Sequence, residues 1–131
     1  MTPPRNEGFP VPSTIMTVDD SPSMRMLLKA ALTDLGYTVL EAEDGVDALD
    51  RLEGAVPDLL ITDINMPRLD GFGLIERVRE QDRHRNLPIL VLTTESSDEK
   101  KQRARSAGAT GWIVKPFHPD KLAAAIRRVL H

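Results

Sequence analysis

The chain contains no cysteine, which removes disulfides, thiol nucleophiles and zinc–thiolate centres together. No apolar run approaches the roughly 18 residues that a membrane span needs, and no signal-peptide-like stretch opens the sequence. These absences give the expectation of a cytoplasmic protein. Aromatic residues are scarce at 4%, too few to line a flavin ring. Neither G-x-x-x-x-G-K-S/T nor G-x-G-x-x-G is present to cradle a nucleotide phosphate. The formal net charge is only −3, with no basic stripe for nucleic acid and no polybasic patch for a membrane surface, so neither partner is expected.

What remains is an ordinary globular composition, 40% hydrophobic and 28% charged over 131 residues, enough for one domain with one core. Four of the ten prolines, Pro3, Pro4, Pro10 and Pro12, fall in residues 1–13, where almost nothing is apolar. A flexible proline-rich tail is expected there, with the domain running over 14–131.

From Thr14 onward short apolar runs alternate with helical patterns. Strands are predicted at 14–18, 37–40, 59–62, 89–92 and 112–114. Ser21-Pro22 reads as a helix cap followed by proline at the first helical position. Behind it Met24, Leu27, Leu28, Ala31, Leu32 and Leu35 keep helical spacing up to Gly36. Asp44 can cap a second helix carrying Val46, Leu49 and Leu52, ended by Gly54 and Pro57. Leu74, Ile75 and Val78 line a third. Residues 98–107 form a charged fourth helix ended by Gly108, and a fifth begins at Pro119 with Leu122, Ala125, Ile126 and Val129 on one face. Strict βα alternation predicts an α/β fold, a five-stranded parallel sheet with helices on both faces. The wholly apolar third and fourth strands suit burial on both sides.

In such sheets ligands sit at the carboxyl ends of the strands. Asp19-Asp20, Asp63, Thr93 and Lys115 each stand at such an end. Two adjacent carboxylates repel, and a hard divalent cation is the commonest reason to keep them together. Three acids and one base on one edge therefore describe a site for metal and phosphoryl chemistry.

Four blocks carry a family resemblance: Val18-Asp19-Asp20-Ser21; the run from Thr62 through Asp63, Asn65, Met66 and Pro67 to Asp70-Gly71; Leu92-Thr93-Thr94-Glu95; and Val114-Lys115-Pro116-Phe117. In order and spacing they resemble the receiver domain of two-component response regulators, over residues 14–130. The run from Glu41 through Asp44-Gly45 to Leu49 further resembles single-domain chemotaxis regulators of the CheY type. The resemblance implies a flavodoxin-like sheet of order 2-1-3-4-5 and a cis Lys115–Pro116 bond.

It also implies roles. Asp63 becomes the phosphoacceptor, a nucleophilic carboxylate that takes the phosphoryl group of a histidine kinase of the CheA type. Mg2+, with Mn2+ as an alternative, would be held by Asp20, Asp63 and the backbone carbonyl of Asn65, with Asp19 acting through a water. Lys115 pairs with Asp63 before reaction and with phosphate after it. Thr93 can donate its hydroxyl to a phosphoryl oxygen, or simply end a strand as a β-branched residue. Thr93 and Trp112 form the switch, although Trp112 can equally be core filling. The family usually has an aromatic there, most often tyrosine in chemotaxis members; the indole is larger and its N–H needs a partner when buried. Thr94 stands where many receivers have a smaller residue, beside the path of an attacking water. Asn65 and Glu95 either tune phosphate lifetime and the access of a phosphatase or are ordinary loop polarity.

Lys100, Lys101, Arg103, Arg105, Arg127 and Arg128 lie on the last two helices. They read either as a solvated face or as the output face made by the fourth helix, fifth strand and fifth helix, presented to a flagellar motor switch protein or another target. His84, His118 and His131 lack metal-ligand spacing and are expected on the surface. No output domain is expected after His131, so action through protein contact is expected, and the protein is expected to be a monomer. A phosphate sink or a relay intermediate outside chemotaxis is the alternative. A haloacid-dehalogenase-type enzyme would need an aspartate two residues after the nucleophile, where this chain has Asn65. The expectation is thus a phosphoacceptor switch, not an enzyme with a separate substrate.

Overall fold

The computed structural model describes residues 13–130. The order is β1 (Thr14–Val18), α1 (Pro22–Asp34), β2 (Thr38–Ala42), α2 (Gly45–Gly54), β3 (Leu59–Thr62), α3 (Gly71–Arg79), a 3-10 turn (Asp82–His84), β4 (Ile89–Thr93), α4 (Asp98–Ala107), β5 (Gly111–Val114) and α5 (Pro119–Val129). All pairings are parallel and the strand order is β2-β1-β3-β4-β5. Residues 1–12 of the tail expected at 1–13, and His131, expected on the surface, lie outside the described residues.

The pleat divides the core in two. Met16, Val18, Leu60, Ile89 and Val91 meet Ala48 and Leu52 of α2, Leu74, Ile75 and Val78 of α3, and Ala104 of α4. Ile15, Leu59, Ile61, Leu90 and Leu92 meet Leu28 and Leu32 of α1, and Leu122 and Ile126 of α5. β3 and β4 are buried along their whole length, as central parallel strands should be. Each such aliphatic side chain removed from water contributes about 1.5–3 kcal/mol before entropy is counted.

Local chemistry sets the helix starts. Ser21, Asp44, Asp70 and Ser97 each accept a hydrogen bond from the third residue after them, capping α1, α2, α3 and α4. The apolar stripe of α1 is narrower than its spacing predicts. Only Leu28 and Leu32 are fully buried, while Leu27 and Leu35 face solvent with 57% and 42% exposure. β2 starts and ends later than predicted, at Thr38 and Ala42, because it pairs with β1 residue by residue from Thr14 to Val18. Gly54 closes α2 from within as its last residue.

The surface placement expected of His84 is overturned. It ends the 3-10 turn fully buried, and among the described residues neither ring nitrogen has a hydrogen-bond partner. The backbone explains the burial. Arg79 donates to the carbonyls of His84 and Gly108, and Arg83 donates to the Leu52 carbonyl, so the turn is drawn onto the α2 and α3 ends. His118, by contrast, is exposed as expected.

Burial first, and the Arg83 charge second, push the His84 pKa below its ordinary 6.5. The folded state therefore prefers neutral imidazole, and the unfolded chain binds the extra proton. Stability from this group is complete above about pH 6.5 and declines as pH falls toward the lowered folded pKa. Thermal unfolding followed from about pH 7.5 to about pH 5 should show His84→Leu losing less stability than the wild type. Parallel declines in the two proteins would contradict the assignment.

Candidate functional site

The sheet changes direction between β1 and β3: the chain leaves β1 for β2 on one side and returns to β3 on the other. Val18 is in register with Thr62, and the Asp63 N–H donates to the Val18 carbonyl at 2.9 Å. This pairing places Asp19 and Asp63 side by side just beyond the strand ends. β4 and β5 bring in the other half, where the Lys115 N–H donates to the Thr93 carbonyl at 2.8 Å. The Lys115–Pro116 bond is cis, as the resemblance implied.

Asp19 and Asp63 are bonded in the same way. One oxygen of each accepts a nearby backbone N–H, from Ser21 at 2.9 Å and from Ile64 at 2.6 Å. The other oxygen of each accepts the Lys115 ammonium, at 2.9 Å and 2.7 Å. All three side chains are nearly shielded from water, at 2%, 10% and 11% exposure for Asp19, Asp63 and Lys115. Burial alone would lower the Lys115 pKa, but the two carboxylates outweigh it and the net shift is upward. The lysine is therefore held as a cation.

Asp20 completes the acids from an exposed position, and ligand oxygens of Asp19, Asp20 and Asp63 lie within 4.8 Å of one another. An oxygen-only donor set this compact, with one member open to solvent, fits a hard cation that retains waters. Arg25 supports the pair from α1: its guanidinium donates to the Asp19 carbonyl at 2.6 Å and lies 3.5 Å from Glu41.

A second polar group lies across the loops. Glu95 accepts from the Asn65 amide at 2.8 Å and from the Lys100 ammonium at 2.9 Å. Lys100 first, then Asn65, holds its carboxyl below the ordinary range. The Trp112 indole N–H donates to the Glu95 carbonyl at 3.1 Å, so the partner that the larger aromatic needs is present. The Glu95 N–H in turn lies 3.4 Å from the Thr93 hydroxyl. Thr94 is exposed beside them.

Asp19, Asp20, Asp63 and Lys115 are thus brought together as the sequence predicted, with Thr93 buried next to them. Trp112 and Asn65 meet at Glu95. Not every basic residue of α4 is free on the surface: Lys100 serves Glu95, and Arg103 lies 4.0 Å from the Phe72 ring centre. Arg25 and Lys100 were not singled out for the site by sequence reasoning. An arginine or lysine on a helix or loop has no local signal of what it will reach.

Comparison with known proteins agrees with this geometry. The response regulator receiver domain family matches residues 15–127. The chemotaxis protein CheY1 of Helicobacter pylori is 42% identical over 118 residues, covering 88% of this chain and 95% of that protein. The structure of Vibrio cholerae CheY4 superposes with a TM-score of 0.88 at 45% identity, over 92% of this chain and all of that one. The receiver domain of a Pseudomonas aeruginosa PAO1 sensor histidine kinase, solved with magnesium coordinated in its active site cleft, matches with a TM-score of 0.84 at 28% identity. It covers 91% of this chain and 98% of that domain. With a five-stranded sheet in the order that the resemblance implied and a family match that spans nearly all the described residues, the chain belongs to the response regulator receiver domain family.

Proposed function

We propose that this protein is a phosphoacceptor switch of chemotaxis, with Asp63 as its phosphorylated residue. The observation that carries the reading is the Lys115 ammonium shared by Asp19 and Asp63 at the carboxyl edge of the sheet, with Asp20 beside them. In the transfer, the N–P bond of a kinase phosphohistidine breaks as an O–P bond to an Asp63 oxygen forms. Imidazole is the leaving group and an acyl phosphate the product. Lys115 would follow the charge from carboxylate to phosphoryl oxygen, and the buried Thr93, the one hydroxyl residue of β4, would donate to that oxygen.

Magnesium, or manganese in its place, would be held by Asp20, Asp63 and the Asn65 carbonyl, with Asp19 acting through a water. When bound it supplies charge neutralisation and in-line orientation. The magnesium in the Pseudomonas receiver domain supports this choice. For the switch, the Glu95 N–H that donates to the Thr93 hydroxyl and the Trp112 indole N–H that donates to the Glu95 carbonyl support coupling between the phosphorylation site and the α4–β5–α5 face. That face carries exposed Arg105, Arg127 and Arg128, and a depression of about 70 Å³ lined by Lys101, Ala104, Arg105 and Trp112. A flagellar motor switch protein is the target that the CheY relatives suggest, and a histidine kinase of the CheA type the donor.

A small phosphodonor with magnesium should add one phosphoryl group to the wild type, stable in acid and lost in base, and none to Asp63→Asn. Intact-mass measurement checks this; stoichiometric labelling of Asp63→Asn would refute the assignment.

Hydrolysis of the acyl phosphate needs a water in line behind phosphorus, close to Thr94. Thr94→Ala should therefore dephosphorylate faster, by about tenfold for a barrier change of roughly 1.4 kcal/mol. Decay followed at saturating magnesium decides it, and an unchanged rate would assign the lifetime to Asn65 and Glu95.

A further inference from the structure

The loop from Ile64 to Asp70 contains a backbone conformation that its sequence does not favour. Arg68 has φ +67, the one positive φ among the described non-glycine residues. Around it the Leu69 N–H donates to the Pro67 carbonyl at 2.7 Å, closing a three-residue turn. A γ-turn with positive φ at its centre is the rare, strained form, and arginine has no special tolerance for it. Something outside the turn must hold it.

That support comes from the start of α2. The Arg68 guanidinium grips Asp44 with two hydrogen bonds, Nε to Oδ2 at 2.7 Å and a terminal nitrogen to Oδ1 at 3.0 Å. Asp44 is almost fully buried at 4% exposure, while the Arg68 side chain remains 54% exposed. The pair with Arg68 is the main reason the Asp44 carboxyl titrates below its ordinary range. Asp44 also caps α2 by accepting the Asp47 N–H at 2.9 Å. Next to it the Gly45 N–H donates to the Leu69 carbonyl at 3.2 Å. A Cβ on Gly45 would collide with Leu69, so helix and loop are in backbone contact.

The other end of the loop is pinned beneath the acids. The Gly71 N–H donates to the Ile64 carbonyl at 2.8 Å, and a Cβ on Gly71 would strike the Asp63 carbonyl. Between the two anchors lies Asn65, whose carbonyl is the one backbone ligand assigned to the cation above. Its direction depends on a short loop that is strained at one end and clamped there from another helix.

We infer that Arg68 and Asp44 are positioning residues for metal binding: their bidentate pair keeps the strained turn closed and so aims the Asn65 carbonyl. This rests on the proposed cation site. Neither residue touches the acids, and their effect passes through the loop backbone. Outer groups that orient a ligand commonly alter metal affinity by about 10–100-fold.

The charge of Arg68 makes the test directional. Removing a cation near an acidic site by itself strengthens divalent-cation binding. Loss of positioning weakens it. Arg68→Ala removes the clamp and leaves the positive φ unrelieved, so nothing then holds the strained turn closed. Asp44→Asn keeps a good helix cap but removes the charge that binds the guanidinium. Magnesium titration calorimetry on unphosphorylated full-length chains should show affinity about tenfold weaker in both variants. Thermal unfolding without metal checks that Arg68→Ala remains folded. Amide exchange at Gly71, measured without magnesium, should accelerate in both.

Affinity unchanged or tighter in Arg68→Ala, with exchange at Gly71 as slow as in the wild type, would overturn the positioning role. Wild type and Asp20→Ala serve as the reference pair. If those two bind magnesium alike, the cation site itself is wrong and the inference falls with it. If they differ while the Arg68 and Asp44 variants match the wild type, only the inference fails.

Discussion

Everything at the carboxyl edge of the sheet depends on one ammonium group. Lys115 sits between Asp19 and Asp63 within hydrogen-bond distance of both, in a place where water screens little. Without it two carboxylates would be buried side by side without compensation, and breaking such a buried pair typically costs about 3–5 kcal/mol. A permanently closed ion cluster would be inert. This one has an exposed third acid and a cationic partner carried on a long, rotatable stem, so it can accept further charge of either sign.

The fold delivers that cluster through ordinary strand physics. The β1–β3 register fixes the distance between Asp19 and Asp63, and the β4–β5 register fixes Lys115 beside Thr93. The buried aliphatic faces of β3 and β4 forbid slippage, because a one-residue shift would turn their side chains to the wrong layer. The loops after β3 and β4 then carry what strands cannot. Arg68 and Asp44 hold the first, while Glu95, tied to Asn65, Lys100 and Trp112, holds the second.

Much of this was legible in the sequence because the signals were local. Apolar runs ending in Asp or Lys announced both the strands and the site, and cap residues announced the helix starts. The misses were non-local. Nothing near His84 says that Arg79 and Arg83 will pull its backbone onto two helix ends. The spacing of Leu27 and Leu35 fits an apolar stripe, yet the surface left between β1, β2 and α5 covers only its centre. Asp44 was readable as a helix cap but not as the partner of a residue 24 positions later. The positive φ of Arg68 has no signature, since glycine or asparagine is the residue that normally marks such a turn.

The central claim is that Lys115 balances the charge of the acids and so occupies the role a cation would otherwise fill alone. Magnesium affinity of Lys115→Met, measured by calorimetry on the unphosphorylated protein against the wild type, tests it most directly. Removing a buried positive charge within hydrogen-bond distance of two ligand carboxylates should tighten magnesium binding by about tenfold or more. Binding unchanged or weakened would mean that Lys115 does not set the charge of the site, and the account would fail at its base.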